Sequence, residues 1–378
     1  MIAQPGNYDD RSQTATTPGS AYVFVRASHS SRWRQEAVLA APAGNVVGNG
    51  FGQAVAVSAN GSQIAVGAPG ASVGGDTSVG AVYVFTRPPA GWSAGSPVAS
   101  LTPSDPADGK GIGGAVAISG SVVVAGNGRG QPVYLFIRQA GQWASETQTA
   151  ELSVPPPPAG CSGTVLNSFG GAVAVDGGTV AVGDDTYPST GTCNVSGAVF
   201  IFEQPAGGWA NTSAPTATLE AKHGGKQTFG GESVALQGGT LVAGAPDTTI
   251  RGVPNVGVAY VFERPAGGWR SATETARLFP AVPFGGDLFG STVAISGNAI
   301  IASNSVCPNG PAACPFVYRK PARGWRTGTR SRELVPPVSA QRGGGVRPLA
   351  AGRNTAVQVS EISGLPAVVF RLSRAGKS

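Results

Sequence analysis

A unit of roughly sixty residues recurs along this chain, and a unit that cannot bury its own apolar faces must stack on copies of itself. Each copy opens on Phe or Ile followed by Gly, then gives an apolar stretch, a small turn and a second apolar stretch. It continues through an aromatic-rich run such as Ala81-Val82-Tyr83-Val84-Phe85. The openings are Phe51-Gly52, Ile112-Gly113, Phe169-Gly170, Phe229-Gly230 and Phe289-Gly290, with a degenerate start near Val346-Arg347, at spacings of 61, 57, 60, 60 and 57. Tryptophan keeps the same period. Trp92, Trp143, Trp209, Trp269 and Trp325 each follow an aromatic residue by seven positions, and Trp33 follows Phe24 by nine.

Four strands, a to d, are read in each repeat. Strand a follows the Phe-Gly pair (Ala54 to Val57; Val173 to Val175) and strand b follows the small turn (Ile64 to Val66; Thr179 to Val182). Strand c is the aromatic run (Ala81 to Phe85, Val133 to Phe136, Ala198 to Phe202, Ala259 to Phe262). Strand d starts near the Trp and ends at a Leu (Leu39, Leu101, Leu152, Leu219, Leu278, Leu334). Strand c is apolar on both faces, as Tyr83 and Phe85 point one way and Val82 and Val84 the other. A half-exposed sheet would alternate polar with apolar. Sheets covered on both sides are what a β-propeller blade requires, and the tryptophans are then read as packing between blades. Strand d is more polar, as expected of an edge strand guarded against pairing with other chains.

Composition agrees with many short strands and tight turns. Gly (58) and Pro (30) are abundant in a chain of 378 residues, while charged residues make up only 12%; the strict apolar period argues against disorder. No apolar run approaches the roughly 20 residues of a membrane-spanning helix, and the first ten residues show no export signal. The net charge of +6 is concentrated at the end, where twelve Lys/Arg from Arg319 onward face only Glu333 and Glu361. That basic end is read as a solvated face, with no nucleic acid as partner.

Phe51-Gly52 with Val66-Gly67-Ala68-Pro69, and Phe229-Gly230 with Ala243-Gly244-Ala245-Pro246, resemble the FG-GAP repeat of the integrin-type β-propeller. The resemblance covers essentially the whole chain. It implies an all-β propeller of four-stranded antiparallel blades, seven by strand count with six as the alternative, formed as one domain over 1–378. It also implies extracellular recognition or adhesion. Several integrin-type repeats carry a calcium loop between strands a and b. Here those turns (Ser58 to Ser62, Ser119-Gly120, Asp176 to Gly178, Gln237 to Gly239, Ser296 to Asn298) are too short and too poor in carboxylates to wrap an ion, so no metal and no cofactor are expected. The likeness is closer to short-turn FG-GAP proteins of bacterial type.

Repeat one lacks strand a and the last repeat stops before strand d. Strand counting therefore leads to the expectation that Met1 is not the natural start, an upstream strand and export signal being missing.

If strand a runs from top to bottom, the b-to-c loops and d-to-a connections lie on one face. Cys161 and Cys193 then fall together in repeat four, and Cys307 and Cys314 in repeat six, which reads as two disulfides. Disulfides imply an oxidising compartment and hence a secreted or cell-surface protein. The loops Gly70 to Val79, Asp184 to Ser196, Asp247 to Val256 and Ser305 to Pro315 diverge while the strands do not, which is where binding normally resides. Asp184, Asp185, Tyr187, Asp247 and Arg251 are the candidate ligand contacts, each with turn chemistry as the competing explanation.

Catalytic raw material is scarce. Only His29 and His223 exist, in different repeats, which leaves nothing for a Ser/His/Asp triad. The leading reading is a monomeric, non-catalytic module, not inserted in a membrane, that binds an extracellular protein or glycan. A hydrolase or lyase acting on a polysaccharide through acidic groups, and a purely structural repeat domain of a larger surface protein, are the alternatives.

Overall fold

The computed structural model describes residues 2–4, 8–9, 14–15, 19–25, 34–42, 48–107, 109–127, 132–161, 168–188, 193–222, 229–230, 233–280, 283–304, 315–328, 331–333, 346–352, 355–360 and 368–371. Among them the chain is all-β, in short antiparallel sheets that follow the sequence repeat.

Sheet two shows the plan. Strands a (Val55–Val57), b (Gln63–Ala68), c (Ala81–Thr86) and d (Ala99–Thr102) pair in that order. Sheets three (Ala115–Ser119, Val122–Gly126, Val133–Ile137, Ala150–Leu152), four (Val173–Asp176, Thr179–Asp184, Ala198–Glu203, Ala217–Glu220), five (Val234–Gln237, Thr240–Ala245, Val258–Glu263, Ala276–Leu278) and six (Thr292–Ser296, Ala299–Ser303, Pro315–Arg319, Ser331–Glu333) repeat it. Sheet one holds b, c and d (Ile2–Gln4, Ser20–Val25, Arg34–Ala40), and sheet seven holds a, b and c (Val346–Gly352, Thr355–Ser360, Val368–Arg371).

The chain divides into two compact units. One comprises Met1–Ser153 with Pro205–Thr212, the other Val154–Gln204 with Ser213–Ser378. Within the second, the core joins consecutive sheets: Ala181, Val199 and Leu219 of sheet four share one cluster with Ala243, Tyr260 and Phe262 of sheet five and with Trp269. Sheets five and six meet in the same way around Trp325. In the first unit, Val82, Val84 and Leu101 of sheet two pack with Val123, Tyr134 and Phe136 of sheet three around Trp143. Every strand c from sheet two to sheet five is buried over its apolar length, as its two apolar faces predict.

The repeating glycines make the sheets approach. In strand b, Gly67, Gly183 and Gly244 each lie against the backbone carbonyl of the Phe-Gly or Ile-Gly glycine of the next sheet, respectively Gly113, Gly230 and Gly290, so closely that a Cβ would collide with it. Gly80, Gly197 and Gly257, just before strand c, leave the same room for the backbone of Ile112, Phe229 and Phe289. The aromatic or Ile side chain then enters the core fully buried.

The outer edge departs from the sequence reading. Strand d of sheets two to five is not left to polar side chains alone, because the residue two after the next Trp covers it. Ser145, Asn211, Ser271 and Thr327 accept the backbone N–H of Ser100 (3.0 Å), Glu151 (2.9 Å), Thr218 (3.0 Å) and Arg277 (3.2 Å). Glu146–Thr147 and Ala272–Thr273 go further and add a short parallel strand to sheets two and four.

Candidate functional site

The b-to-c loops lie beside the connections that lead into the next Phe-Gly pair. In sheet two the loop closes a tight hairpin between Val73 and Asp76, then passes its carbonyls to the following connection, Gly111 N–H donating to Ser78 (2.9 Å) and Ile112 N–H to Val79 (3.1 Å). Sheet five has a loop of the same design. Ile250 and Val253 bond each other in both directions (3.0 and 2.9 Å), and Gly286 and Leu288 both donate to the Asn255 carbonyl (3.1 Å each). The turn between Ile250 and Val253 is Arg251-Gly252, with φ of 52° and 81°. Two left-handed residues are the signature of a type I′ hairpin, which favours Asn or Gly at its first central position. Sheet two has Gly74 there; sheet five holds Arg251 in that conformation, exposed.

Sheet four brings the densest set of polar groups together. Asp184, the last residue of strand b, is completely buried. Its Oδ1 accepts from Thr186 N–H (3.0 Å), Thr186 Oγ1 (2.7 Å) and Ser168 Oγ (2.9 Å), the last from the residue just before Phe169. Asp184 Oδ2 is buried with no hydrogen-bond partner. Asp185 is half-buried, and its Oδ1 also contacts Ser168 Oγ, while its own N–H donates to that oxygen (3.0 Å). One hydroxyl proton thus stands between two carboxylates. Neither carboxylate takes part in an ion pair among the described residues. Of the two, only Asp185 reaches the surface, where a carboxylate accepts from ligand O–H or N–H groups.

The segments around this cluster are fixed twice. Cys161 and Cys193 form a disulfide, closing a stretch separated by 32 residues. Tyr187 is buried, stacks edge-on against Phe200 at 4.8 Å between centroids, and donates its hydroxyl to the Pro156 carbonyl (2.7 Å). Asp184 and Tyr187 therefore sit inside the protein and hold the loop. Asp185 and Asp247 are half-buried, and Arg251 is at the surface. Cys307, Cys314, the loop from Ser305 to 314, His29, His223 and Trp33 lie outside the described residues.

The equivalent position in the other sheets is legible in the sequence by its register. Where sheets two and five have the Ala of Gly-Ala-Pro (Ala68, Ala245), sheets three, four and six have Asn127, Asp184 and Asn304. In sheet three Asn127 donates to the Lys110 carbonyl, and Lys110 itself pairs with Asp105 (2.7 Å) and Tyr134 Oη (3.3 Å). In sheet six Asn304 neighbours Asp287, both only 1% exposed. Asp287 Oδ2 accepts from Phe284 N–H (3.1 Å), but Asp287 Oδ1 and Asn304 Oδ1 have no partner. Burial raises the Asp287 pKa above the usual carboxylate range, outweighing the opposing bonds from Phe284 N–H and the Asn304 side chain.

A raised folded-state pKa means that the protonated form is favoured by folding, so this contribution is present at low pH and is lost as pH climbs through the folded pKa. Asp287→Asn removes the buried charge while keeping an oxygen to accept the Phe284 N–H. It is expected to stabilise the protein at pH 7 by about 1 kcal/mol and to flatten the decline in stability above the ordinary carboxylate range. Urea titrations of both proteins between pH 4 and 8 measure this; an unchanged pH slope would refute it.

Two solved structures resemble the chain along its length. One is a candidate 6-phosphogluconolactonase from Bacteroides uniformis, with 11% identity, a TM-score of 0.55, and 98% of this chain and 91% of that one covered. The other, a candidate 6-phosphogluconolactonase from Bacteroides fragilis, has 12% identity and a TM-score of 0.52 over 98% and 94% of the two chains. At such identity the likeness shows the fold alone. No protein of curated function matches the sequence. Residues 33–85, from before strand d of sheet one to strand c of sheet two, match the model of the FG-GAP repeat. The chain therefore carries an FG-GAP repeat within an all-β fold of the β-propeller class.

Proposed function

We propose that the protein is a non-catalytic recognition module, secreted or on a cell surface, that binds an extracellular protein or glycan with its b-to-c loops. The observation that carries this reading is the half-exposed Asp185 carboxylate, fixed through Ser168 to the buried Asp184 on segments stapled by Cys161–Cys193 and by the Tyr187 hydroxyl. Fixed acceptors suit a ligand rich in hydroxyl or amino groups, because their orientation is settled before binding. The disulfide supports an oxidising compartment. Arg251 supports the reading from a second loop, since a left-handed non-glycine residue at a hairpin tip costs about 1 kcal/mol that function can justify.

The test is a glycan array and an extracellular-protein panel probed with wild type, Asp185→Asn and Arg251→Gly. Asp185→Asn is expected to weaken binding by about tenfold through loss of charged hydrogen bonds. Arg251→Gly is expected to raise stability by about 1 kcal/mol while weakening binding. Affinity unchanged in both variants would remove these loops from the reading. A second reading, hydrolysis, is favoured by the adjacent carboxylates Asp184 and Asp185 together with the names of the two structural neighbours. Turnover of a sugar lactone that Asp185→Asn abolishes would establish it instead.

A further inference from the structure

The b-to-c loops of sheets two and five are built to one plan, and the plan brings two residues of different segments to the loop tip. Val73 and Asp76 pair across Gly74-Gly75 in sheet two, and Ile250 and Val253 pair across Arg251-Gly252 in sheet five. The connection into the next Ile-Gly or Phe-Gly pair runs parallel to the returning arm of each loop, with Gly80 bridged to Ile112 and Gly257 to Phe289. Ala107 and Phe284, each five residues before that Ile or Phe, are therefore equivalent. The carbonyl of each accepts from the residue three further on, Lys110 N–H (3.4 Å) and Asp287 N–H (3.2 Å). Both stand near a hairpin tip. A Cβ on Gly74 would lie 3.7 Å from Pro106, the neighbour of Ala107, and one on Gly285, the neighbour of Phe284, would lie 3.5 Å from the Val253 side chain.

The two loops share a backbone and differ in these side chains. Sheet two has Gly74 and Ala107 where sheet five has Arg251 and Phe284. Glycine and alanine suffice to build the turn, so neither large side chain is required by the fold. Arg251 keeps a left-handed φ of 52°, which costs a non-glycine residue free energy. It is exposed and forms no ion pair among the described residues. Phe284 is 57% exposed, more than any other large apolar residue among those described. Its backbone is held nonetheless, because its N–H donates to Asp287 Oδ2 (3.1 Å) while Gly286 and Leu288 bond the Asn255 carbonyl. One loop tip thus carries an open aromatic ring and an unpaired guanidinium.

We propose that Arg251 and Phe284 together form a subsite for an anionic sugar unit, a uronate or a sulfated residue of an extracellular glycan; this rests on the recognition reading above and names the ligand class of its second loop. A guanidinium offers a fork of N–H donors that matches carboxylate or sulfate oxygens. The apolar face of a pyranose ring covers an exposed aromatic ring, and removing both areas from water favours the complex. The net charge of +6 adds attraction for a polyanion. The same surface disfavours a protein partner. The exposed large apolar residues among those described are Val57, Val98, Val195 and Phe284, each in a different segment, whereas a protein interface needs a contiguous apolar core. A single sugar ring needs only Phe284.

Isothermal titration of the intact protein with an oligogalacturonate, which carries carboxylates, and with a heparin octasaccharide, which carries sulfates, is the test. Fully methyl-esterified oligogalacturonate is the uncharged counterpart. At least one anionic probe is expected to bind saturably, and the uncharged one far more weakly. Arg251→Gly and Phe284→Ala are each expected to weaken binding by about tenfold, the scale of one charged hydrogen bond or one covered aromatic face. Both install the residues that sheet two carries at these positions, so both proteins are expected to fold, as thermal unfolding checks. Phe284→Tyr keeps the ring and is expected to keep the affinity. Arg270→Gln removes the same charge from another exposed position and is expected to change nothing. Unchanged affinity in Arg251→Gly or in Phe284→Ala would overturn the proposal. So would a failure of both anionic probes to bind, or a loss in Arg270→Gln as large as that in Arg251→Gly, which would mean general attraction to a basic protein. A neutral glycan or a protein bound in an Asp185-dependent way would leave the recognition reading standing while removing this subsite; no bound ligand of any kind would remove both.

Discussion

Trp325→Ala is expected to destabilise the protein by about 3–5 kcal/mol, the cost of removing a large aromatic side chain from a core. Trp325 is 4% exposed and lies among Leu278, Val261 and Ala259 of sheet five and Ile300, Ala302 and Tyr318 of sheet six. Its loss empties the seam between two sheets, where the close approach of Gly244 to Gly290 leaves the backbones little room to collapse further. The indole nitrogen is buried with no hydrogen-bond partner. Trp325→Phe therefore gives up volume but no polar bond, and is expected to cost less than about 1.5 kcal/mol. Urea denaturation of the three proteins measures the contrast. Equal losses in both variants would mean that Trp325 acts through its N–H and not by filling space.

Gly244→Ala is expected to cost about 3 kcal/mol, the upper end of what overpacking does. The added methyl meets the carbonyl of Gly290 and the hydroxyl of Ser233, and that hydroxyl already donates to the same carbonyl at 2.7 Å. Backbone cannot yield as a flexible side chain can, so the sheets must separate. Gly267→Ala is the control. It has open space around the new methyl and no left-handed φ, and is expected to be neutral or slightly stabilising. A Gly244→Ala protein as stable as wild type would show that sheets five and six do not meet as described.

Much of the fold was legible because its period is covalent. The Phe-Gly spacing places strands a and b of sheets two and four, and strand c of sheets two to five, to within about two residues, and the two-faced apolar pattern of strand c foretells burial on both sides. The disulfide between Cys161 and Cys193 was legible for the same reason, since the repeat assigns both residues to loops of one end. Strand d was less so. Its polarity marks an edge strand, but the edge is also covered by the segment after the next Trp. The Ser, Asn, Ser and Thr at positions 145, 211, 271 and 327 were visible at constant spacing, but a hydroxyl two residues after a Trp has no meaning until the preceding sheet lies beside it.

The candidate site divides in the same way. Asp184 and Tyr187 were singled out as loop residues, and both are inside, because strand b runs on through Asp184 and the Tyr187 ring finds Phe200. Ser168 was not singled out. It stands 16 residues before Asp184, and only the turn of strand a back onto strand b makes them neighbours.

By itself, the sequence determined the repeat, its four-strand content, the apolar faces and the glycines that a stacked sheet requires, for those follow from local periodicity. Only the tertiary structure decided which groups distant in the chain meet: glycine on carbonyl and Trp loop on strand edge between repeats, serine between two aspartates within one. Those contacts cross about 15 to 60 residues of chain, and their energies depend on distances that no one-dimensional spacing contains.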